Sequence, residues 1–378
     1  MKIIKLFSLS ILFLLLHISC SSVSEPEKAI NELQITDELT QIEIDSIASA
    51  LSLFPDGTQF SIAFISDSGA TFYGAHRNGD ELTTIDNHDR VFEIGSISKV
   101  FTSTLLAHAI YDSVISADQT VRSALDIEMA GNPDFTFLQL SNHTSGLPRL
   151  PGGYTFNFLL NMSNPYKIFD EEELKAYLKS DLILSRDPGE THSYSNLGAG
   201  LLGLFLSELE NSSYENLLQS KIFEPMGMIR STTDRRMVED QLVTGLTKRG
   251  GSAENWDLAA LAGAGGILST SEDLSRFIQA NFDPDDPVLS LQREATFQVN
   301  DNMDVAMGWF ILERDSGANW YWHNGGTGGY RSSIVMDPEQ KTGVVVLSNI
   351  TAGHSEAGKI DGLSFDLMEM HFTNDSDQ

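Results

Sequence analysis

The chain has 378 residues, 41% of them hydrophobic, and sets 53 Asp and Glu against 24 Lys and Arg for a formal charge of −29. That length and apolar content build one large core or two small ones, while the charge repels phosphate backbones and anionic headgroups and so excludes nucleic acid and a bare lipid surface as partners. With one cysteine in the sequence, no disulfide within the chain can hold the fold, and packing has to suffice.

At the start, Lys2 and Lys5 precede an apolar run, Leu6 to Leu16, that ends in His17-Ile18-Ser19-Cys20. The run is shorter than the ~20 residues of a spanning helix and reads as a secretory signal over 1–19. Cys20 stands where bacterial lipoprotein signals place the residue that is cleaved and lipidated, although His17 occupies the position that usually holds Leu. The expectation is a lipid anchor on Cys20, a tether over 20–37, and an exported protein attached to a membrane, periplasmic or outer. No other stretch is apolar enough to span.

From Glu38 the pattern becomes that of a folded domain, 38–373. Ile42, Ile44, Ile47, Ala48 and Leu51 have helical spacing up to the turn at Pro55-Asp56-Gly57. Phe60 to Ile65, a Ser66 to Gly69 turn, and Ala70 to Gly74 predict a hairpin. Apolar spacing is then mainly helical from Val100 to about Arg276, with a helical lobe over roughly 100–265. Strands return at Trp320 to His323, Tyr330 to Met336 and Val344 to Asn349, and a helix over Ile360 to His371 closes the pattern. Strands from both ends with helices between them predict an α/β (α+β) fold, one sheet built from sequence-distant pieces with the helical lobe against it.

Three short motifs carry chemistry. Glu93-Ile94-Gly95-Ser96-Ile97-Ser98-Lys99 follows a strand end and opens a helical run, so Ser96 and Lys99, three apart, share a face. A serine hydroxyl needs a base, and a desolvated lysine held neutral is one. Tyr194-Ser195-Asn196 precedes a Gly-rich helix start; a phenol beside that lysine can shuttle a proton, and the Asn196 amide can position a carbonyl. In His323-Asn324-Gly325-Gly326-Thr327-Gly328-Gly329 an aromatic strand stops at glycines that let a substrate backbone lie close, with the N–H groups of Ser96 and Gly326 as candidate oxyanion donors.

The order Ser-x-x-Lys, Tyr-x-Asn, then His-x-Gly resembles the serine β-lactamase and penicillin-binding superfamily, in particular its class C β-lactamase and D-alanyl-D-alanine carboxypeptidase branch. Leu138 to Pro148, Pro225 to Met228, Gly263 to Thr270 and Leu347 to Asn349 extend the likeness along most of the exported chain. The resemblance implies a β-lactamase/transpeptidase-like fold, a central antiparallel sheet flanked by helices. It also implies an acyl-enzyme hydrolase with Ser96, Lys99 and Tyr194 catalytic, Asn196, His323, Gly325 and Gly326 at the substrate, and no cofactor or metal. The substrate is left open among a D-Ala peptide of peptidoglycan, a β-lactam and a small ester or D-amino-acid peptide. A member of another kind, a non-catalytic penicillin-binding sensor or scaffold, would keep the fold without turnover.

Other polar residues take lesser expectations. Lys341-Thr342-Gly343 spells the third motif of many β-lactamases but falls in a turn, which makes it a decoy for His323 to Gly329. His323 carries no fixed charge near neutral pH, so its hold on a carboxylate should be weaker than a lysine's. His143 and an exposed His192 read as scaffold, and Arg331 as a residue within reach of a substrate carboxylate or simply of solvent. Asp86, His88 and Asp89 lack the ligand spacing of a zinc site.

Overall fold

In the computed structural model, residues 29–152 and 163–373 are described; the expected signal, Cys20 and the first part of the expected tether lie outside the described residues. The strands are β1 (Ile30–Glu32), β2 (Gln59–Ser66), β3 (Gly69–Asn78), β4 (Glu81–Ile85), β5 (Phe92–Glu93) and β6 (Leu268–Ser269). They continue with β7 (Phe297–Asn300), β8 (Met303–Val305), β9 (Phe310–Glu313), β10 (Asn319–Gly326), β11 (Arg331–Asp337) and β12 (Thr342–Ser348). Ten of them form one sheet in the order β1-β4-β3-β2-β12-β11-β10-β9-β8-β7, and β5 pairs with β6 apart from it. Every pair in the large sheet is antiparallel except β1 with β4.

The longer helices are α1 (Gln41–Leu51), α2 (Ser98–Tyr111), α3 (Glu171–Ser180), α4 (Asn196–Leu209), α5 (Ser271–Ala280) and α6 (Lys359–Thr373). Alternation along the central strands sorts them into two layers. Phe60, Ile62, Phe64, Val344 and Val346 face α1 and α6, while Ala63, Ile65, Val345 and Leu347 face the lobe that holds α2 and α4. Strands covered on both faces need apolar residues at every position, which is why Val344 to Leu347 form an unbroken apolar run. Among the described residues, no helix is long and apolar enough to cross a membrane.

Helix α2 runs through the middle of the lobe and is buried nearly all round. Its polar residues find internal partners instead of water: Thr102 Oγ1 donates to Gly263 O, Ser103 Oγ pairs with Ser141 Oγ, and Thr104 Oγ1 donates to Gln292 Oε1. Buried hydroxyls that are all hydrogen-bonded fix the helix in one place, and with it Ser96 and Lys99.

Two boundaries differ from the sequence reading. The ordered fold starts before Glu38: β1 lies in the stretch expected to be a tether, and Leu33 and Leu39 are buried against the α1 layer. Two leucines are too few to show periodicity. Strands β7 to β9 were not expected either, because at three or four residues each they are too short to show a period, and they gain order by adding to the edge of β10.

Candidate active site

Ser96 sits on the single 3-10 turn Gly95–Ile97 that joins β5 to α2. The turn is fastened on two sides. Ile94 N–H donates to Ile267 O at 3.1 Å, and Ile94 O accepts from Ser332 Oγ at 2.8 Å. Two glycines allow the turn and β10 to approach so closely. Gly95 has φ +54°, and a Cβ there would lie 2.5 Å from Gly326 N; a Cβ on Gly325 would lie 1.9 Å from Ile94 O. The Ser96 and Gly326 backbones therefore meet at one point.

Lys99 Nζ lies 3.0 Å from Ser96 Oγ and 2.6 Å from Ala264 O. It is 1% exposed. Burial, helped by the Arg149 charge, holds its pKa well below the ordinary lysine value, so its amine is far easier to keep neutral. With one N–H on Ala264 O, the neutral amine can point a lone pair at the Ser96 hydroxyl. The Tyr194 ring centroid is 4.8 Å from Lys99 Nζ. Burial pushes the phenol above its ordinary pKa, so at neutral pH it keeps a proton to donate.

Tyr194 itself precedes α4, whose N-cap Ser195 accepts from Gly198 N–H at 2.9 Å and donates to Pro148 O. His143 Nδ1 accepts from Ser195 N–H at 3.3 Å, with its ring 4.4 Å from that of Tyr194. Burial drives the His143 pKa well down, so it is a neutral strut. Asn196 Nδ2 donates to the Tyr166 hydroxyl at 2.8 Å. Its Oδ1 is buried without a hydrogen-bond partner.

A cavity of about 450 Å³ opens over Ser96, lined by Tyr194, Asn196, Arg149, Tyr166, Gly326 and Arg331 among others. Aromatic rings from Trp256, Phe310 and Trp322 add to its walls, and among the described residues no Asp or Glu lines it. Strand β9 pairs with β10 only over Asn319 to Trp322. Beyond Trp322 no strand among the described residues pairs with that edge of β10, next to Ser96, so it can pair with an extended substrate backbone.

Not every expected residue reaches the cavity. His323 is 1% exposed, donates from Nδ1–H to Asn324 O (2.7 Å), and lines a small cavity with His143. Burial and the Lys99 charge lower its pKa to about 3. It carries no charge for a substrate and touches Tyr194 only at ring range, 6.3 Å between centroids. Gly325 packs behind Ile94 and does not line the cavity. His192, expected on an exposed turn, is half-buried between His143 and Phe310, because β9 covers it.

Arg331 does reach the cavity. A Cβ on Gly326 would lie 3.5 Å from its Nη1. Asp361 at the start of α6 pairs with Nη2 and also accepts from Asn324 Nδ2 at 3.1 Å, so a buried carboxylate aims the guanidinium. The sequence reading did not single out Asp361, Tyr166, Arg149 or Glu93. Glu93, buried, accepts from Asn255 Nδ2 and Trp256 N–H and ties the Trp256 wall to β5. Its place directly before the Gly95-Ser96 turn was the one signal available.

Lys341 ends the β11–β12 turn, at the opposite end of the hairpin from Gly326, and pairs with Asp67 at 3.0 Å. Asp86 pairs with His88, and Asp89 with Arg230. Among the described residues no group of three or more His, Cys, Asp or Glu is placed to hold a metal.

A family model described as Beta-lactamase matches residues 65–367. A D-alanyl-D-alanine-carboxypeptidase/endopeptidase AmpH of Escherichia coli (strain K12) is 26% identical over 318 residues, 73% of this chain and 80% of that one. A beta-lactamase of Yersinia enterocolitica is 25% identical over 302 residues, 68% of this chain and 74% of its own. Among solved structures, a beta-lactamase/D-alanine carboxypeptidase from Yersinia pestis has a TM-score of 0.71 at 22% identity, covering 86% of this chain and 95% of its own. A penicillin-binding protein homologue from Pyrococcus abyssi has a TM-score of 0.69 at 24% identity, covering 87% and 76%.

Proposed function

Because the chain belongs to the beta-lactamase family of serine hydrolases, we propose that Ser96 is its nucleophile and that its substrates are amides ending in a carboxylate, as in a peptide with a terminal D-alanine. The observation that carries the reading is the 3.0 Å approach of a buried, weakly basic Lys99 amine to Ser96 Oγ.

Lys99 takes the Ser96 proton as Oγ bonds to the substrate carbonyl carbon, and the N–H groups of Ser96 and Gly326 receive the oxyanion. When the carbon–nitrogen bond breaks, the Tyr194 phenol gives its proton to the leaving amine. The Lys99 ammonium, 4.8 Å from the Tyr194 ring centroid, then returns a proton to the phenolate and is neutral again. Water then attacks the acyl-enzyme by the same route and frees the acid.

Three features favour an amide with a terminal carboxylate. The open edge of β10 suits an extended peptide, the unpaired Asn196 Oδ1 suits a substrate N–H, and Arg331 supplies the positive charge that neutral His323 lacks. The named relatives include both a carboxypeptidase/endopeptidase and beta-lactamases. Incubation with an acylated D-Ala-D-Ala peptide, nitrocefin, a p-nitrophenyl ester and a fluorescent penicillin tests the choice. D-alanine release with a slowly lost penicillin adduct on the Ser96 peptide is expected. Faster nitrocefin turnover would move the substrate to β-lactams, ester cleavage without an adduct to small esters, and no reaction at all would leave a scaffold.

The single cysteine after an apolar leader supports a second part of the reading, a lipid on Cys20 that tethers the domain to a membrane. Labelled palmitate should enter the expressed protein and be lost in Cys20→Ser; failure to label removes the anchor and leaves the enzyme reading intact.

A further inference from the structure

The cavity holds two guanidiniums, and only one has an internal counter-ion. Arg331 pairs through Nη2 with Asp361, which aims it at the cavity. Arg149, on the wall formed with Tyr166 and Asn196, has no carboxylate partner among the described residues. The stretch that follows it, 153–162, contains no Asp or Glu at all. In a chain with 53 acids against 24 Lys and Arg, a guanidinium beside a reaction centre without one of those acids stands out.

Its position is built rather than incidental. The Arg149 carbonyl accepts N–H groups of both Asn196 and Leu197, at 3.0 and 3.1 Å, which ties its backbone to the first turn of α4. The guanidinium carbon lies 5.0 Å from the Tyr194 ring centroid. Stacking on a ring uses the face of the guanidinium and leaves its N–H edge free, the edge that binds a carboxylate in a bidentate manner. Arg331 and Asn324 sit at the Gly326 end of β10. A substrate laid along that edge with its terminal carboxylate on Arg331 directs its acyl part to the Arg149 wall.

We propose that Arg149 binds a second carboxylate, carried on the acyl side of the scissile carbonyl, so that preferred substrates are anionic on both sides of the bond. This rests on the acyl-transfer reading and adds a selectivity to it. Two thiolesters separate the claims: N-succinyl- and N-butyryl-D-alanyl-thioglycolate, which share the activated carbonyl and the leaving-group carboxylate and differ only in the acyl-side charge.

The readout is the ratio of kcat/KM for the succinyl over the butyryl substrate, measured by thiol release from the full chain. Any loss common to both substrates, through Tyr194 or Lys99 for example, cancels in the ratio. In the unaltered protein the ratio should be about 10 or more, as expected of a charge-assisted pair. Arg149→Gln should bring it to about 1, and Arg149→Glu should push it below 1. A ratio near 1 in the unaltered protein with brisk turnover, or a ratio untouched by Arg149→Gln, overturns the proposal alone. Absence of turnover on both substrates together with no penicillin adduct on Ser96 overturns the acyl-transfer reading and this proposal with it.

Discussion

Replacing Ser96 by Ala should lower hydrolysis of every substrate by about 10⁴-fold or more and abolish the penicillin adduct, because Ser96 Oγ is the hydroxyl held against the Lys99 amine. The substitution deletes one oxygen. Lys99 Nζ keeps its 2.6 Å bond to Ala264 O, and the turn keeps its fastenings at Ile94, so the melting temperature should hardly move. Non-covalent binding of substrate should survive, read by quenching of Trp256 or Trp322 in the cavity wall. Turnover retained within tenfold, or an adduct on another residue, would sink the assignment of Ser96.

Lys99→Met separates the base from the nucleophile. Methionine has a similar length and no charge, and kcat should fall by roughly 10³-fold, within the usual range for loss of a general base, with KM changed far less. In the unaltered enzyme Lys99 acts only when unprotonated, hence above its pKa. Burial and Arg149 lower that pKa, so the acid limb of kcat/KM should lie well below the ordinary lysine value of about 10.4 and activity should persist at neutral pH. Below the limb the amine is protonated and the rate falls. In Lys99→Met the residual rate should lose this limb. A limb that stays in place would assign it, and the base, to another group.

The same substitution has a stability consequence of fixed sign. A lysine whose pKa is lower in the folded state binds fewer protons there than in the unfolded chain, so its burial costs stability at neutral pH and the cost fades as pH rises toward the unfolded value. The Lys99→Met protein should therefore melt higher at pH 7. A lysine kept in the interior at such a cost is what a functional, rather than a packing, role requires.

Much of this was legible along the chain, for identifiable reasons. Ser96 and Lys99 are separated by one helical turn, so local spacing alone predicts that they meet, and they do at 3.0 Å. The β2–β3 hairpin and the β10 to β12 strands were legible because central strands must be apolar or alternate. Strands as short as Met303–Val305 had no such signature, since three residues show no period and their order comes from the neighbours they pair with.

By itself the sequence determined the family likeness, the three motifs and the two-ended origin of the sheet, all of which depend on residues close in the chain or on simple periodicity. Tertiary structure alone decided which charges face the substrate. It turned His323 inward and kept it neutral, placed Asp361 of the last helix behind Arg331, and left Arg149 on the opposite wall with no acid beside it. The physical reason is that burial and the nearest counter-charge set the state of an ionisable group, and both come from residues brought together across the chain by packing.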